Sequence, residues 1–231
     1  MPHAVREIFS LADPAFESAY ALYLQSFAPD ELEPWDSIQA RIESAGRLRE
    51  DGRISHFLIS EEEGRVVGVR IHDFFPEVGL GWLVYLAIRP EVRGRQLGAH
   101  LLRCGVESCR LDAVYHQAPF RGAVLEMERL CDAANPEEYE ERRGRLEFFT
   151  KQGAQFLTDG YTQPALGPGM SPVPLNLFLL QGQEPLTPEE RDSILYDFHV
   201  RMWGMDPDSP SVKQALDGVN GDPWATPSWR E

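Results

Sequence analysis

Residues 85–102 read YLAIRPEVRGRQLGAHLL and form the most informative stretch of the sequence. The stretch begins as an apolar run, turns at Pro90, becomes basic and glycine-bearing, and then resumes as an amphipathic pattern. It therefore predicts a strand, a short loop and the start of a helix. The free N–H groups and positive dipole end of a helix start attract anions, and glycines let an anion approach the backbone. Because Arg93 and Arg95 add positive charge, the stretch predicts a phosphate-binding loop.

Two common classes of nucleotide-binding loop do not fit this stretch. It lacks the Gly-Lys-Ser/Thr ending of a P-loop, and it lacks the Gly-x-Gly-x-x-Gly spacing of a dinucleotide-binding fold. We therefore expect a phosphate ligand of another class.

The composition is that of a globular protein, with 231 residues of which 42% are hydrophobic and 10% aromatic. Its 37 acidic and 22 basic residues give a net charge of −15, which repels phosphate backbones, so no nucleic-acid partner is expected. No apolar run approaches the ~18 residues that span a bilayer, and no signal-peptide pattern is present. We expect no membrane partner and a cytoplasmic location.

Cysteine and histidine do not form a metal-binding pattern. Cys104, Cys109 and Cys131 lack CxxC spacing, and the six histidines lack HxH or HxxxH pairing. We expect reduced, buried thiols and no metal.

Hydrophobic periodicity predicts the order of the secondary-structure elements. Strand character is found over 4–11, 54–60, 65–75, 79–88, 122–128, 155–161 and 172–181. Helices are predicted over 13–27, 35–51, 98–113, 136–154 and 187–206. This order predicts an α/β (α+β) fold, a mixed sheet with helices on both faces. The Pro-rich tail after the last helix is expected to be loosely ordered.

The loop and the element order together resemble the GNAT superfamily, the Gcn5-related acyl-CoA N-acyltransferases. The family signature is a strand followed by R/Q-x-x-G-x-G/A, to which residues 86–102 are similar, and EFFTKQGA at 147–154 is similar to a later helix of the family. The resemblance covers roughly residues 1–182 and implies a mostly antiparallel, seven-stranded sheet there. Residues 183–231 would then be a C-terminal helical extension.

The resemblance implies acetyl-CoA as co-substrate and assigns the residues that bind it. The backbones of Leu86 and Ile88 would pair with the pantetheine arm, and a backbone N–H near Leu86 or Ala87 would polarise the thioester carbonyl. The pyrophosphate would be held by the loop and helix start, which comprise Arg93, Gly94, Arg95, Gln96, Leu97, Gly98 and Ala99.

Gln96 departs from the family pattern, because it stands where the first of two signature glycines normally lies, whereas Gly98 and Ala99 fit. A glutamine side chain crowds the loop unless its backbone dihedrals are ordinary. Alternatively, its amide donates a hydrogen bond to a phosphate oxygen.

Amine attack on a thioester requires a neutral amine, so a base should remove its proton. In the strand at 122–128, Glu126 and Glu128 share one face, and two close carboxylates raise the pKa of each other. Either residue is a candidate base. The alternative is that both are solvated or salt-bridged acids near a strand end.

A second candidate role is that of the general acid, which in the family is frequently a tyrosine in the helix after this strand. Alignment on Gly153 places Phe149 there, and phenylalanine cannot donate a proton. Tyr139 and Tyr161 are the replacement candidates, with Tyr161 at the start of a loop that could border the acceptor pocket. Otherwise the thiolate leaves unassisted.

The acceptor side in this family is usually the loop between the first two helices. Here it contains Asp30, Glu31, Glu33 and Trp35, and carboxylates beside an indole suit an ammonium group. We take Glu31 and Trp35 as substrate-binding candidates. The alternative is an acidic loop in which Trp35 anchors the helix.

Taken together, these features predict an N-acetyltransferase that moves an acetyl group from acetyl-CoA to a primary amine of a small molecule or peptide by direct attack. A cysteine nucleophile is disfavoured because Cys104 and Cys109 fall inside a predicted helix. One alternative is a non-catalytic CoA-binding module that acts as a sensor or interaction protein. Another is a structural dimer that binds no CoA. A homodimer is an expectation from the resemblance alone.

Overall fold

A computed structural model of the protein describes residues 4–29, 31–165, 171–180 and 186–230. Its strands are β1 (Ala4–Glu7), β2 (Ile54–Glu62), β3 (Arg65–Phe75), β4 (Leu80–Ile88), β5 (Gly122–Glu128), β6 (Ala154–Gln163) and β7 (Val173–Leu180). Its α-helices are α1 (Phe16–Ser26), α2 (Trp35–Glu43), α3 (Leu97–Tyr115), α4 (Pro136–Lys151), α5 (Pro188–Tyr196) and α6 (Pro210–Asp217). The described residues fall into two compact units, which divide between Arg121 and Gly122.

The first unit is an antiparallel sheet of β1 to β4 in chain order, with helices on both faces. Alternation along β3 sends Val69 and Ile71 into a core shared with residues of α1 and α2. The opposite face packs against α3, where a Cβ on Gly68 would lie 2.5 Å from Leu101 Cδ1. The absence of a side chain at Gly68 therefore lets α3 approach the sheet closely.

The second unit contains β5, β7 and β6 in that spatial order, all antiparallel, together with α4, α5 and α6. Thr187 and Glu190 form a capping box that fixes the start of α5. A π-helical turn over Asp197–Met202 then continues this helix.

The Pro-rich tail is ordered where the sequence predicted loose structure, and that prediction was wrong. Thr158 Oγ1 donates to the Ala215 carbonyl at 2.6 Å, and a Cβ on Gly160 would collide with the Gln214 carbonyl oxygen. The helix α6 thus rests directly on the backbone of β6. Further along, Trp229 Nε1 donates to the Ala133 carbonyl at 2.7 Å.

Counted together, the seven strands make the mostly antiparallel, seven-stranded α/β fold that the resemblance implied, and this prediction is confirmed. The residues 186–230 belong to the same compact unit as β5 to β7. The division of the chain at residue 182 stays a prediction. Among the helices described, none combines the length and the apolar character needed to cross a membrane.

A buried ionic group joins β1, β2 and α3 within the first unit. The imidazole of His56 lies between Glu7, 2.8 Å from Nδ1, and Asp112, 2.8 Å from Nε2. Burial alone would lower the pKa of His56, but the hydrogen bonds to Asp112 and Glu7 outweigh it and raise the pKa to about 9. His56 also stacks on His72 with ring centroids 4.8 Å apart.

This group predicts a pH-dependent contribution to stability. The folded-state pKa of His56 lies above the unfolded value, so its stabilisation is complete below about pH 6.5 and is lost as pH rises through about 9. Relative to His56→Gln, the unmodified protein should lose on the order of 3 kcal/mol of unfolding free energy across this window. Urea unfolding of both proteins at successive pH values measures the difference. A difference that stays constant from pH 6 to 10 would show that His56 is not held as an imidazolium.

Candidate active site

The loop between β4 and α3 is tied to the sheet at its first residue. Arg89 donates from its backbone N–H to the Val67 carbonyl at 3.0 Å, and from Nε to the Val66 carbonyl at 2.7 Å. A single 3₁₀ turn over Pro90–Val92 follows, and Arg93 Nε donates to the Ile88 carbonyl at 3.2 Å. The path of the loop is therefore set by hydrogen bonds to backbone carbonyls of β3 and β4.

The start of α3 has the geometry of an anion-binding helix terminus. The helix begins at Leu97 without a side-chain cap, and its backbone ladder begins with His100 N–H donating to the Gln96 carbonyl. The N–H groups of Leu97, Gly98 and Ala99 precede that ladder, so they have no partner within the helix. Arg95 adds charge beside them and pairs with Glu62 at 3.3 Å on the exposed surface. These residues are among those that the family resemblance assigned to the pyrophosphate.

Gln96 adopts the conformation that a glycine would adopt at this position. Its φ is 62° and its ψ is 9°, and Gly94 two residues earlier has φ 78°. The sequence left two possibilities for Gln96, namely backbone dihedrals that any residue adopts or a hydrogen bond from its amide to a phosphate. The dihedrals lie in the left-handed region, so the first possibility does not hold. A non-glycine residue in this left-handed region costs about 1–2 kcal/mol. The loop thus keeps the glycine-like path of the family signature and stores backbone strain at Gln96.

A β-bulge interrupts β4 and was not predicted from the sequence. Along β3 the register advances by one residue, from Ile71 to His72, while along β4 it moves by two, from Tyr85 to Leu83. Val84 is therefore the extra residue, and a bulge locally disrupts the ladder and re-aims the strand. Leu86, Ala87 and Ile88, the predicted pantetheine-binding positions, directly follow the bulge.

The predicted substrate-binding residues have structural contacts in the first unit. Glu31 accepts from the Ala28 N–H through its carboxylate at 3.0 Å, and its carbonyl accepts from the Tyr85 hydroxyl at 2.6 Å. Trp35 is half-exposed, and its ring lies 5.0 Å from that of Tyr20 between centroids. The assignment of Glu31 and Trp35 to an amine stays a prediction, and Asp30 lies outside the described residues.

The carboxylates of the fifth strand differ in their surroundings within the second unit. Glu126 accepts a 2.5 Å hydrogen bond from the Tyr161 hydroxyl and a 3.4 Å bond from Gln163 Nε2. Glu128 instead forms a 2.9 Å ion pair with Arg145 of α4. Burial, followed by the charge of Glu126, raises the pKa of Tyr161 well above its ordinary value. Tyr161 therefore keeps its proton and orients Glu126.

Tyr139, the other candidate acid, is buried under the end of the chain. Its ring packs edge-on against Trp229, and the guanidinium carbon of Arg230 lies 3.9 Å from its centroid. These contacts give Tyr139 a structural role. Phe149 packs against Phe148 with ring centroids 5.0 Å apart.

His199 lies beside the Glu126–Tyr161 pair and was missed in the sequence. Its ring centroid is 5.5 Å from that of Tyr161, and its Nδ1 donates to the Leu195 carbonyl at 2.7 Å. Burial lowers the pKa of His199, so the ring is neutral at neutral pH. The π-helical turn brings His199 to this position, and the sequence pattern reads only as a regular helix there.

Comparison with known proteins agrees with this geometry. Residues 9–118 match the model of the Acetyltransferase (GNAT) family. Over these residues the chain matches a GNAT acetyltransferase domain. A Bacteroides thetaiotaomicron protein described as a GNAT-family acetyltransferase shares the fold, with 19% identity over 88% of this chain and 99% of its own, and a TM-score of 0.62. No curated protein sequence matches the chain.

Another similar structure is that of yncA from Salmonella typhimurium, described as an acetyltransferase with its cofactor acetyl-CoA. It shares 17% identity over 81% of this chain and 98% of its own, with a TM-score of 0.51. At these identities the likeness concerns the fold. The family match supports acyl transfer in general. Among the described residues, no group of three metal-ligating side chains is present.

Proposed function

We propose that the protein transfers an acetyl group from acetyl-CoA to a primary amine of a small molecule or peptide. The supporting observation is the uncapped start of α3, preceded by two left-handed residues, Gly94 and Gln96, and by the bulged strand β4. The backbone N–H groups of Leu97, Gly98 and Ala99 would bind the pyrophosphate. A homodimer in the cytoplasm remains part of this proposal, on the family resemblance alone.

The reaction we propose is a direct attack. The amine nitrogen bonds to the thioester carbonyl carbon, the carbon–sulfur bond breaks, and coenzyme A leaves as its thiolate. The N–H group of Leu86 or Ala87 stabilises the oxyanion that forms on the carbonyl oxygen. The amine proton passes to Glu126, directly or through water.

An acyl-cysteine intermediate fits the chain poorly. Burial raises the pKa of Cys104, Cys109 and Cys131, so each thiol stays protonated at neutral pH. A thiolate, rather than a thiol, is the nucleophile in such chemistry. Direct transfer is therefore the mechanism that the described residues favour.

Glu126 is the preferred base over Glu128 because of their different partners. Glu128 forms a 2.9 Å ion pair with Arg145, whereas Glu126 is held by a hydrogen bond from the Tyr161 hydroxyl. Tyr161 would act by orienting Glu126. A phenol whose pKa lies well above its ordinary value is a weak acid toward a thiolate, so we propose that the thiolate leaves without a tyrosine donor.

A second candidate function is a CoA-binding module without catalysis. Phe149, at the position aligned with the family tyrosine, favours this alternative. Turnover by the purified protein with an amine library would exclude it. Binding of acetyl-CoA without turnover of any amine would support it.

The first experiment is a titration with acetyl-CoA, followed by heat flow and by thermal shift, on the unmodified protein and on Gly98→Trp. We expect micromolar binding and thermal stabilisation of the unmodified protein, both lost in Gly98→Trp because an indole occupies the phosphate position. Gly144→Trp is the matched control, since Gly144 lies on the exposed side of α4 with open space around its Cα. Absence of binding by the unmodified protein would contradict the proposed function.

A further inference from the structure

Arg70 is a buried cation that has no carboxylate partner among the described residues. It lies on the α3-facing side of β3 with 1% of its surface exposed, and no ion pair to it is found in the described part of the chain. Its Nε and Nη2 have no hydrogen-bond partner there. Burial lowers the pKa of Arg70 to about 9. An apolar side chain would be easier to bury at this position, because an unpaired interior charge is strongly disfavoured.

The one side-chain hydrogen bond of Arg70 in the described structure goes to the β4 bulge. Its Nη1 donates to the carbonyl oxygen of Tyr85 at 3.2 Å, immediately after the extra residue Val84. Tyr85 pairs with Ile71 of β3 next to the point where the bulge disrupts the ladder, and Arg70 supplies a side-chain donor to its carbonyl there.

The helix α3 leaves room for this contact at one residue. A Cβ on Gly105 would lie 3.0 Å from Arg70 Nε and 3.4 Å from Arg70 Cγ, tighter than ordinary packing. Gly105 therefore lets the guanidinium lie between the helix and the sheet. An alanine at residue 105 would make the Arg70 side chain shift by a few tenths of an ångström.

The Tyr85 peptide unit connects this contact with the proposed chemistry. The carbonyl of Tyr85 and the N–H of Leu86 belong to one planar trans peptide, so the two groups point in opposite directions. A donor that fixes the carbonyl thereby fixes the N–H. The side chain of Tyr85 is held as well, because its hydroxyl donates to the Glu31 carbonyl at 2.6 Å.

We propose that Arg70 is a positioning residue that holds the Tyr85 carbonyl and so aims the Leu86 N–H at the thioester oxygen of bound acetyl-CoA. This inference rests on the proposed function. Arg70 does not touch the acetyl group, and its effect is carried by the peptide between Tyr85 and Leu86. Burial of the unpaired Arg70 guanidinium lowers the stability of the fold, and in this proposal the same guanidinium fixes the direction of the oxyanion donor, the Leu86 N–H.

The test compares Arg70→Met, which keeps the length and apolar packing, with Arg70→Lys, which keeps a donor. The probe is acetyl-CoA labelled with ¹³C at the acetyl carbonyl, whose chemical shift in the bound state reports polarisation of that carbonyl. We expect a shift on binding to the unmodified protein, loss of that shift in Arg70→Met, and partial recovery in Arg70→Lys. Binding of coenzyme A itself, which lacks the carbonyl, should be unchanged in all three.

A second measurement does not depend on any ligand. Amide hydrogen exchange at Leu86 should become at least about tenfold faster in Arg70→Met, because the bulge loses its donor and opens locally. Phe74→Leu, on the same face of the same strand, is the packing control and should change neither the exchange at Leu86 nor the carbonyl shift. If Arg70→Met does not fold, Gly105→Ala crowds the guanidinium without removing it and should produce the same two losses to a smaller degree.

Three outcomes are distinguishable. A carbonyl shift and Leu86 exchange in Arg70→Met equal to those of the unmodified protein would overturn the inference and leave the proposed function standing. Equal losses in Phe74→Leu would overturn it by showing a general packing effect. Failure of the unmodified protein to bind acetyl-CoA would overturn both the inference and the proposed function.

Discussion

Replacement of Arg41 by methionine should lower the free energy of unfolding by about 3–5 kcal/mol. Arg41 and Asp73 are 1% and 0% exposed, and Nη1 of Arg41 lies 2.5 Å from Asp73 Oδ1. A second ion pair joins Arg41 to Glu33 at 2.8 Å. The variant would leave the Asp73 carboxylate buried with Ser55 as a hydrogen-bond donor and only a longer, 3.7 Å ion pair to Arg53, and a poorly compensated interior charge is strongly destabilising. Urea denaturation followed by circular dichroism measures the loss.

Two controls separate burial of charge from the removal of an arginine. The double variant Arg41→Met/Asp73→Asn should recover much of the loss, because it removes both charges of the buried pair. Arg143→Met should leave the unfolding midpoint unchanged, since Arg143 forms only exposed ion pairs on α4. If the single and double variants were equally unstable, the loss would come from packing at residue 41 rather than from the charge of Asp73.

The sequence predicted the order of elements because the fold is encoded in local hydrophobic periods. The change from a helical period in α1 to a period of two in β2 and β3 is visible without tertiary contacts. The ends of the helices and strands were predicted less accurately than their order. The second helix was predicted to reach residue 51, whereas α2 ends at Glu43 and Gly46 follows with φ 68°. A glycine in that conformation ends a helix, which the amphipathic pattern alone does not indicate.

The bulge in β4 could not be predicted from the sequence. It changes which face of the sheet the side chains of β4 occupy, so the regular in-and-out alternation does not hold across it. Trp82 and Tyr85 are three residues apart, so a regular strand would place them on opposite faces. Both nevertheless contact side chains from the α1 and α2 side, Trp82 with Arg41 and Tyr85 with Tyr23. The register is fixed by the pairing of β4 with β3, which is a tertiary property.

The buried polar groups were missed for a related reason. Arg41 and Asp73 are 32 residues apart and meet only when α2 packs on the sheet. In the sequence each is one charged residue among many, and the surface is where most such residues lie. The loop at 89–99 was found because its function depends on local geometry, a strand end, a turn and a helix start in direct succession.

The Glu126→Gln variant should lower kcat by about 10²–10³-fold, within the range that general base catalysis supplies, and leave acetyl-CoA affinity unchanged. The amide keeps the shape of the carboxylate and the hydrogen bond from Tyr161, but it cannot accept the amine proton. The measurement is steady-state kinetics with an amine from the library screen, over a range of pH. In Glu126→Gln the acidic limb of the pH–rate profile should disappear, because the group that titrates there is gone.

Glu128→Gln is the matched control for this prediction, because it makes the same chemical change on the same face of β5. It should retain nearly full activity, since Glu128 is held in an ion pair with Arg145. Tyr161→Phe removes the hydroxyl that donates to Glu126, and a carboxylate without that donor holds its proton more tightly, so the acidic limb should move to higher pH. Equal losses in Glu126→Gln and Glu128→Gln would contradict the assignment of Glu126 alone as the base. A profile of Glu126→Gln that keeps its acidic limb would place the titrating base elsewhere, with the neutral, buried His199 beside Tyr161 as the next residue to substitute.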